Sequence, residues 1–421
     1  MKSAQEAVLK AVENNREQII NTLRDLTRFP SLAGHEAGAQ QYCADLMAGM
    51  GLAVDMWIPQ PGDMSINPHF LAMREDYEGS PDVVGELKGL GGGKSMMVNG
   101  HIDVVPAGDN DWDDDPWSGK YQDGKISGRG SSDMKAGITA GLMAVKSIID
   151  ADIKLKGDVY VATTIGEETG GAGTLSMISR GYKADGAIVP EPSDLKVCPV
   201  SIGAMWFRVI VRGLATHSAT AHLGINAISK AALIIQAIDQ YNEARRLRPR
   251  HELYNDKPHP FNINMGVIAG GQIPSSVPDE IIIEARMAVS PEEEISQARL
   301  ELEEAVGTAA AADPWLREHQ PEIQWYGFCL CSGAIEKEHP VIQSLAAGFE
   351  AVTGTGPVLS GTPWGTDAGA MIRYGQIPTV VFGPGPDNTA HKANEYVEVE
   401  KLITTTKIIA LTLLNWCGTS E

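Results

Sequence analysis

Between Ala136 and Thr164 a long apolar run, Ala136–Ile149, is followed by VYVATT, six residues rich in β-branched and aromatic side chains. Neither run has a polar face. A helix feeding a strand that is apolar on both sides belongs to a sheet covered by helices on both faces. Shorter runs continue the theme: Asp82–Gly89 and Ser95–Asn99 read as strands around Leu90-Gly91-Gly92-Gly93, and Ala187–Val189 as another. The alternation predicts an α/β fold, a mixed, largely parallel sheet flanked by helices.

The texture changes after Pro199. Strand Ala204–Val211, helix Ile225–Tyr241, strands Asn262–Ala269 and Glu280–Ala288, a helix from Pro291 to Ala311 and strand Glu322–Tyr326 follow in turn. That order, β-α-β-β-α-β, is ferredoxin-like. The α/β texture then resumes with a helix near Val341–Val352, a strand Thr379–Phe382 and a terminal helix Val399–Leu414. The 421 residues exceed one ordinary domain. They divide into a discontinuous catalytic domain, residues 1–200 and 329–421, with an inserted ferredoxin-like α+β lid at 201–328. Met1–Pro30 lacks an apolar signal core; Val8, Val12, Ile19, Leu23 and Leu26 place it in an amphipathic surface helix.

Thirty-four basic against 54 acidic residues give a net charge of −20. Such a surface repels phosphate backbones and anionic membranes, so neither is an expected partner. Five scattered cysteines without a C-x-x-C pair point to a reducing cytoplasm.

Three segments at strand ends hold chemistry. In VNGHID, positions i and i+2 of a strand share a face, so the Asp103 carboxylate is placed to accept from one ring nitrogen of His101. SGRGSSDMKAG puts Asp133 in a glycine-rich loop that opens the apolar helix, where the helix dipole favours an anion. IGEETGG sets Glu167 and Glu168 directly after the buried strand, at the end where α/β sheets bind ligands. Adjacent glutamates can divide the work, one holding metal and one moving a proton. Singly, the segments read better as a structural histidine, a helix cap and a solvated turn.

Together with Glu191 (VPEPS) and His391 (TAHKANEY), these motifs resemble the co-catalytic zinc hydrolases that include acetylornithine deacetylase, succinyl-diaminopimelate desuccinylase, aminoacylase and glutamate carboxypeptidase. The resemblance spans nearly the whole chain, with five motifs in the family's order. It implies one metal ion held by His101, Asp133 and Glu191 and a second by Asp133, Glu168 and His391. Glu167 is then the general base and Asp103 orients His101. Zinc suits such ligands, with cobalt or manganese as substitutes. His217, in RGLATHS, matches a lid histidine that stabilises the oxyanion from a partner subunit; His222 is the rival. Asn264 (INMG) and Arg286 (EARMAV) match positions that meet the reaction centre and a substrate carboxylate. Thr366, in GTDA, matches a substrate loop. Gly369 stands where several members carry arginine, which disfavours diacid substrates.

The expected activity is hydrolysis of a small-molecule amide of the N-acyl amino acid kind, in a homodimer built through the lid, with acetylornithine deacetylase as the nearest type. A dipeptidase or carboxypeptidase, and a deformylase or aminohydrolase of an aromatic or heterocyclic substrate, are the alternatives. A non-catalytic metal-binding relative is the rival from another class, and the presence of Glu167 counts against it. GLGGGKS lacks the first glycine of a phosphate loop and reads as a hairpin turn. Asp109–Asp115 lacks the glycine and the final glutamate of a calcium loop and reads as a solvated acidic loop.

Overall fold

The computed structural model describes residues 2–108, 111–386 and 388–420. Its main sheet has nine strands, and the central four, Val159–Thr164, Met96–His101, Gly186–Val189 and Thr379–Val381, run parallel. Antiparallel strands flank them: Ala53–Trp57 and Asp82–Leu87 on one side, Val197–Ser201 on the other. Helix Lys135–Asp150 packs on one face beside Val399–Cys417, and both are apolar nearly all round because both are enclosed. The expected mixed, largely parallel sheet flanked by helices is therefore present.

The amino-terminal amphipathic segment is two helices, Lys2–Asn14 and Arg16–Thr27. Val8, Val12, Ile19, Leu23 and Leu26 are fully enclosed, so this segment contributes to the core. The glycine-rich stretch after Asp82–Leu87 is no hairpin. That strand and Met96–His101 lie on opposite sides of Val159–Thr164 and never pair. The connection crosses the sheet end, where Leu90 and Gly91 N–H groups donate to the carbonyls of Leu155 and Lys156. A Cβ on Gly93 would meet the Cys417 carbonyl oxygen at 2.1 Å, so glycine is required by close backbone approach rather than by a turn. Of the acidic loop, Asp109 and Asn110 lie outside the described residues.

A second sheet of four antiparallel strands runs in the order Ile263–Gly270, Glu280–Val289, Gly203–Arg212, Glu322–Leu330. Helices Ala227–Arg246 and Ile295–Ala312 cover one face, completing the β-α-β-β-α-β order. The last strand is longer than its sequence signal. A bulge at Gly327-Phe328 interrupts its register, and Gly327, at φ +63°, takes the left-handed conformation there. Among the described residues no helix is long and apolar enough to cross a membrane.

Candidate metal centre

Parallel strands present their carboxyl ends to one side, and four of the candidate residues follow from that. His101 closes strand Met96–His101; Glu167 and Glu168 follow Val159–Thr164; Glu191 follows Gly186–Val189. Asp133 comes from the loop that opens helix Lys135–Asp150, and His391 from the loop before the carboxy-terminal helix. All six converge. His101 Nε2 lies 3.3 Å from Asp133 Oδ1, 3.6 Å from Glu191 Oε1 and 4.0 Å from Glu167 Oε2. His391 Nε2 lies 2.9 Å from Glu168 Oε1 and 3.4 Å from Asp133 Oδ2. Asp133 thus turns one oxygen to each histidine, the geometry of a bridging carboxylate.

The His101 Nδ1 hydrogen bond goes to the backbone carbonyl of Asp103, at 2.9 Å. A carbonyl only accepts, so Nδ1 carries hydrogen there, and Nε2 is the ring nitrogen turned to the cluster. The expected support from the Asp103 carboxylate is displaced: its Oδ1 stands 3.6 Å from the ring. The strand ends at His101, so the side-chain alternation assumed from the sequence no longer holds at Asp103. Its two oxygens instead accept from the N–H groups of Glu167 and Glu168, at 3.3 and 3.1 Å. Asp103 supports His101 through its backbone and the glutamate turn through its side chain.

Four carboxyl groups, Asp133, Glu167, Glu168 and Glu191, meet two imidazoles with little solvent between them. Burial raises Glu167 and Glu191 well above the ordinary carboxylate range, and raises Glu168 as well. Hydrogen bonds to Asp133 and Glu168 lift His391 to about 10. Burial opposes the charge on Asp133 too, but hydrogen bonds from both histidines outweigh it and leave that carboxyl low. Two imidazolium charges cannot neutralise four carboxylates; two divalent cations can. The donor set, imidazole with carboxylate in two overlapping groups built on His101, fits such a pair.

Several supporting residues carry no motif of their own. Asp82 accepts from the Ile165 N–H at 2.9 Å and holds the strand end before the glutamates. Asp367, pushed up to about 6 by burial, accepts from Thr174 beneath the same turn. Glu395 is enclosed behind Asp133: one oxygen accepts from the N–H groups of Ser132 and Asp133 at 2.8 and 3.0 Å, the other from Arg129 at 2.6 Å. HKANE holds Glu395 in plain view beside His391, but an acid in a loop is usually a solvated one, and only the fold buries it.

The remaining candidates lie apart from the cluster. His217 is exposed, and its Nδ1 accepts from its neighbour Ala219 N–H at 3.1 Å. His222 is exposed on the following turn. Asn264 and Arg286 pair across neighbouring strands, and the row continues through Trp206 to Tyr326 on the helix-free face of the second sheet. Burial pulls the Arg286 guanidinium below its usual value, and no carboxylate among the described residues pairs with it. Thr366 is enclosed, its hydroxyl engaged by Ser201 and the Ala368 N–H. Gly369 packs so closely that a Cβ would stand 1.8 Å from the Cys331 carbonyl oxygen, which rules out an arginine there in this backbone.

The sequence profile of the peptidase family M20/M25/M40 matches residues 97–415. The N-formyl-4-amino-5-aminomethyl-2-methylpyrimidine deformylase of Bacillus subtilis (strain 168) is 31% identical, over 97% of each chain. Among solved structures, a di-peptidase of Saccharomyces cerevisiae, Dug1p, superposes with a TM-score of 0.78 at 12% identity, over 100% of both chains. The YXEP protein of Bacillus subtilis, described as a dinuclear metal-binding peptidase of the M20 family, gives 0.66 at 15% identity, covering 96% of this chain and 99% of that one.

Proposed function

The chain belongs to peptidase family M20/M25/M40 and is a hydrolase of C–N bonds, and on that premise we propose that it removes a formyl or similarly small acyl group from an amine borne by a heteroaromatic ring. The observation that carries this reading is the 31% identity with a pyrimidine deformylase along 97% of both chains. It favours the deformylase alternative over acetylornithine-type deacylation, the type expected first. The close packing at Gly369 agrees, since it removes one carboxylate clamp.

In this reading His101, Asp133 and Glu191 hold one ion, and Asp133, Glu168 and His391 the other; zinc is the proposed metal. When bound, such a pair polarises the scissile carbonyl and lowers the pKa of a water at the site. Glu167, enclosed and raised by burial, takes the proton of the attacking water and returns it to the departing amine. Asp103 holds the turn that aims Glu167. Arg286 and Asn264 orient the substrate from the second sheet, and Thr366 supports the loop behind it. His217 stabilises the oxyanion of a second copy, since in its own chain it touches none of the cluster. The edge strand Ile263–Gly270, with Val267 and Ile268 more than half exposed, suits pairing between two copies. Five buried cysteines, none in a disulfide, suit a cytoplasmic setting.

The test is a hydrolysis screen of the metal-loaded protein on N-formyl aminopyrimidines, N-acetyl and N-succinyl amino acids and dipeptides. Highest kcat/KM on a formylated heteroaromatic amine is expected; a preference of tenfold or more for N-acetyl amino acids or dipeptides overturns the reading.

A further inference from the structure

Glu395 ties together two loops that come from opposite ends of the chain. Its carboxylate receives the Ser132 and Asp133 N–H groups and the Arg129 guanidinium, and its backbone carbonyl receives the Gly128 N–H at 2.9 Å. Arg129 in turn donates to the Pro106 carbonyl and stacks over Trp112. Glu395 and Arg129 are both almost completely enclosed, at 1% and 2% exposure. With both Glu395 oxygens and both terminal nitrogens of Arg129 engaged, and only the Arg129 Nε left without a partner, the enclosed pair holds the spacing between the loops.

The two histidines of the cluster depend on that tie unequally. His101 ends a fully buried central strand, and its ring is held by the Asp103 carbonyl. His391 lies four residues before Glu395 in an irregular loop, at φ +62°, with its side chain 53% exposed. Within the cluster only Asp133 and Glu168 touch its ring. Behind it, Glu395 and the short strand Tyr396–Glu398, paired with Lys125–Ser127, anchor the loop. We propose that Glu395, clamped by Arg129, is a positioning residue that sets the affinity of the second metal ion, the one shared by Asp133, Glu168 and His391, more than that of the first. Two of those three ligands, Asp133 and His391, sit on the tied loops, against only Asp133 of the first ion's, whose His101 and Glu191 are held by the sheet. The proposal rests on the ligand assignment given above.

The experiment is Zn²⁺ titration against a chromogenic chelator, with the visible spectrum of the Co²⁺-loaded protein as a second readout. Glu395→Gln alone leaves Arg129 buried without its charge partner, so the decisive variant is Arg129→Met with Glu395→Gln, which removes the pair together. The expected result is one ion per chain weakened little, and a second weakened about 10- to 100-fold, the usual effect of losing a residue that orients a ligand. Glu395→Asp keeps the charge but shortens the reach; it is expected to weaken the second ion by less and serves if the double variant fails to fold. Equal affinity for both ions in a folded variant, or loss of both together, overturns the proposal. A wild type that binds fewer than two ions overturns the ligand assignment instead.

Discussion

Gly137 is the third residue of helix Lys135–Asp150, and by helix propensity alone its replacement by alanine should stabilise the protein by about 1 kcal/mol. The structure predicts the opposite. A Cβ at Gly137 would stand 1.9 Å from the Pro190 carbonyl oxygen and 2.7 Å from the Pro190 Cβ. Ordinary contact requires the two segments to part by about 1.5 Å. Overpacking of that kind costs about 1–3 kcal/mol, which offsets or exceeds the propensity gain. The segment pushed away is Pro190-Glu191, and a metal-binding carboxylate displaced by ~1 Å loses on the order of 10²-fold in rate, or about 2.7 kcal/mol of barrier. Gly137→Ala should therefore be neutral to 2 kcal/mol less stable in urea unfolding with chelator present, by the difference of those two terms, roughly. It should also bind Zn²⁺ more weakly and turn over about 100-fold more slowly. Gly307→Ala is the control: it lies in helix Ile295–Ala312 with nothing within 4 Å of the new methyl, and should gain about 1 kcal/mol with activity unchanged. A Gly137→Ala protein that is more stable, with wild-type metal binding and turnover, would refute the argument that backbone approach at this helix start places Glu191.

Glu167→Gln should lower kcat by about 10²–10⁴-fold with both ions retained, whereas Glu168→Gln should lose metal; elemental analysis alongside kcat would expose a swap of roles. All five cysteines are buried and unbridged, and burial pushes Cys43, Cys331 and Cys417 up to about 12. A disulfide reagent at pH 8 should therefore find no fast-reacting thiol in the native protein and five after denaturation; one rapid equivalent in the native state contradicts this. Asp55 is held below its ordinary range by two hydrogen bonds from Arg180, with Tyr182 adding a third. Because the folded pKa is depressed, its contribution is present above the unfolded carboxylate pKa of about 4 and is lost as pH falls through the folded value. At a partly exposed site that contribution is small: Asp55→Asn should cost under about 1 kcal/mol at pH 7, and the difference should shrink as acid unfolding is followed below about pH 4.

What could be seen in the sequence and what could not divide along a physical line. VYVATT announced its strand because a strand buried on both faces must be apolar throughout, and the structure begins and ends it at Val159 and Thr164. Four of the six cluster residues stand at the ends of buried strands, and it is the joint resemblance of the motifs to a known family that makes all six legible. The glycine-rich crossing at Leu90–Gly93 was misread because a tight turn and a close backbone approach demand the same residue; only the sheet order, with Val159–Thr164 between the flanking strands, tells them apart. The role of the Asp103 side chain was missed for a related reason. Period-two alternation is informative only while the strand lasts, and this one stops at His101. Asp82, Asp367 and Glu395 stand in segments the sequence singles out, but their roles were not legible, since burial of an isolated acid depends on contacts from distant parts of the chain.

The second sheet leaves and rejoins the main one at a single place. Only Ile202 separates Val197–Ser201 from Gly203, and Gly333–Ala334, just after the second sheet's last strand, pairs back onto Val197–Ser201. Ala204 and Leu330 are opposite each other in the register, and a Cβ on Gly203 would touch the Ser332 N–H nitrogen at 2.7 Å. The two crossing points are neighbours, so everything between them is a cassette whose ends already meet. Its excision could be closed by a turn of a few residues, and its replacement by a relative's would cut no segment that bears His101, Asp133, Glu167, Glu168, Glu191 or His391. A protein built this way can exchange the inserted sheet and keep the cluster, as separate inheritances.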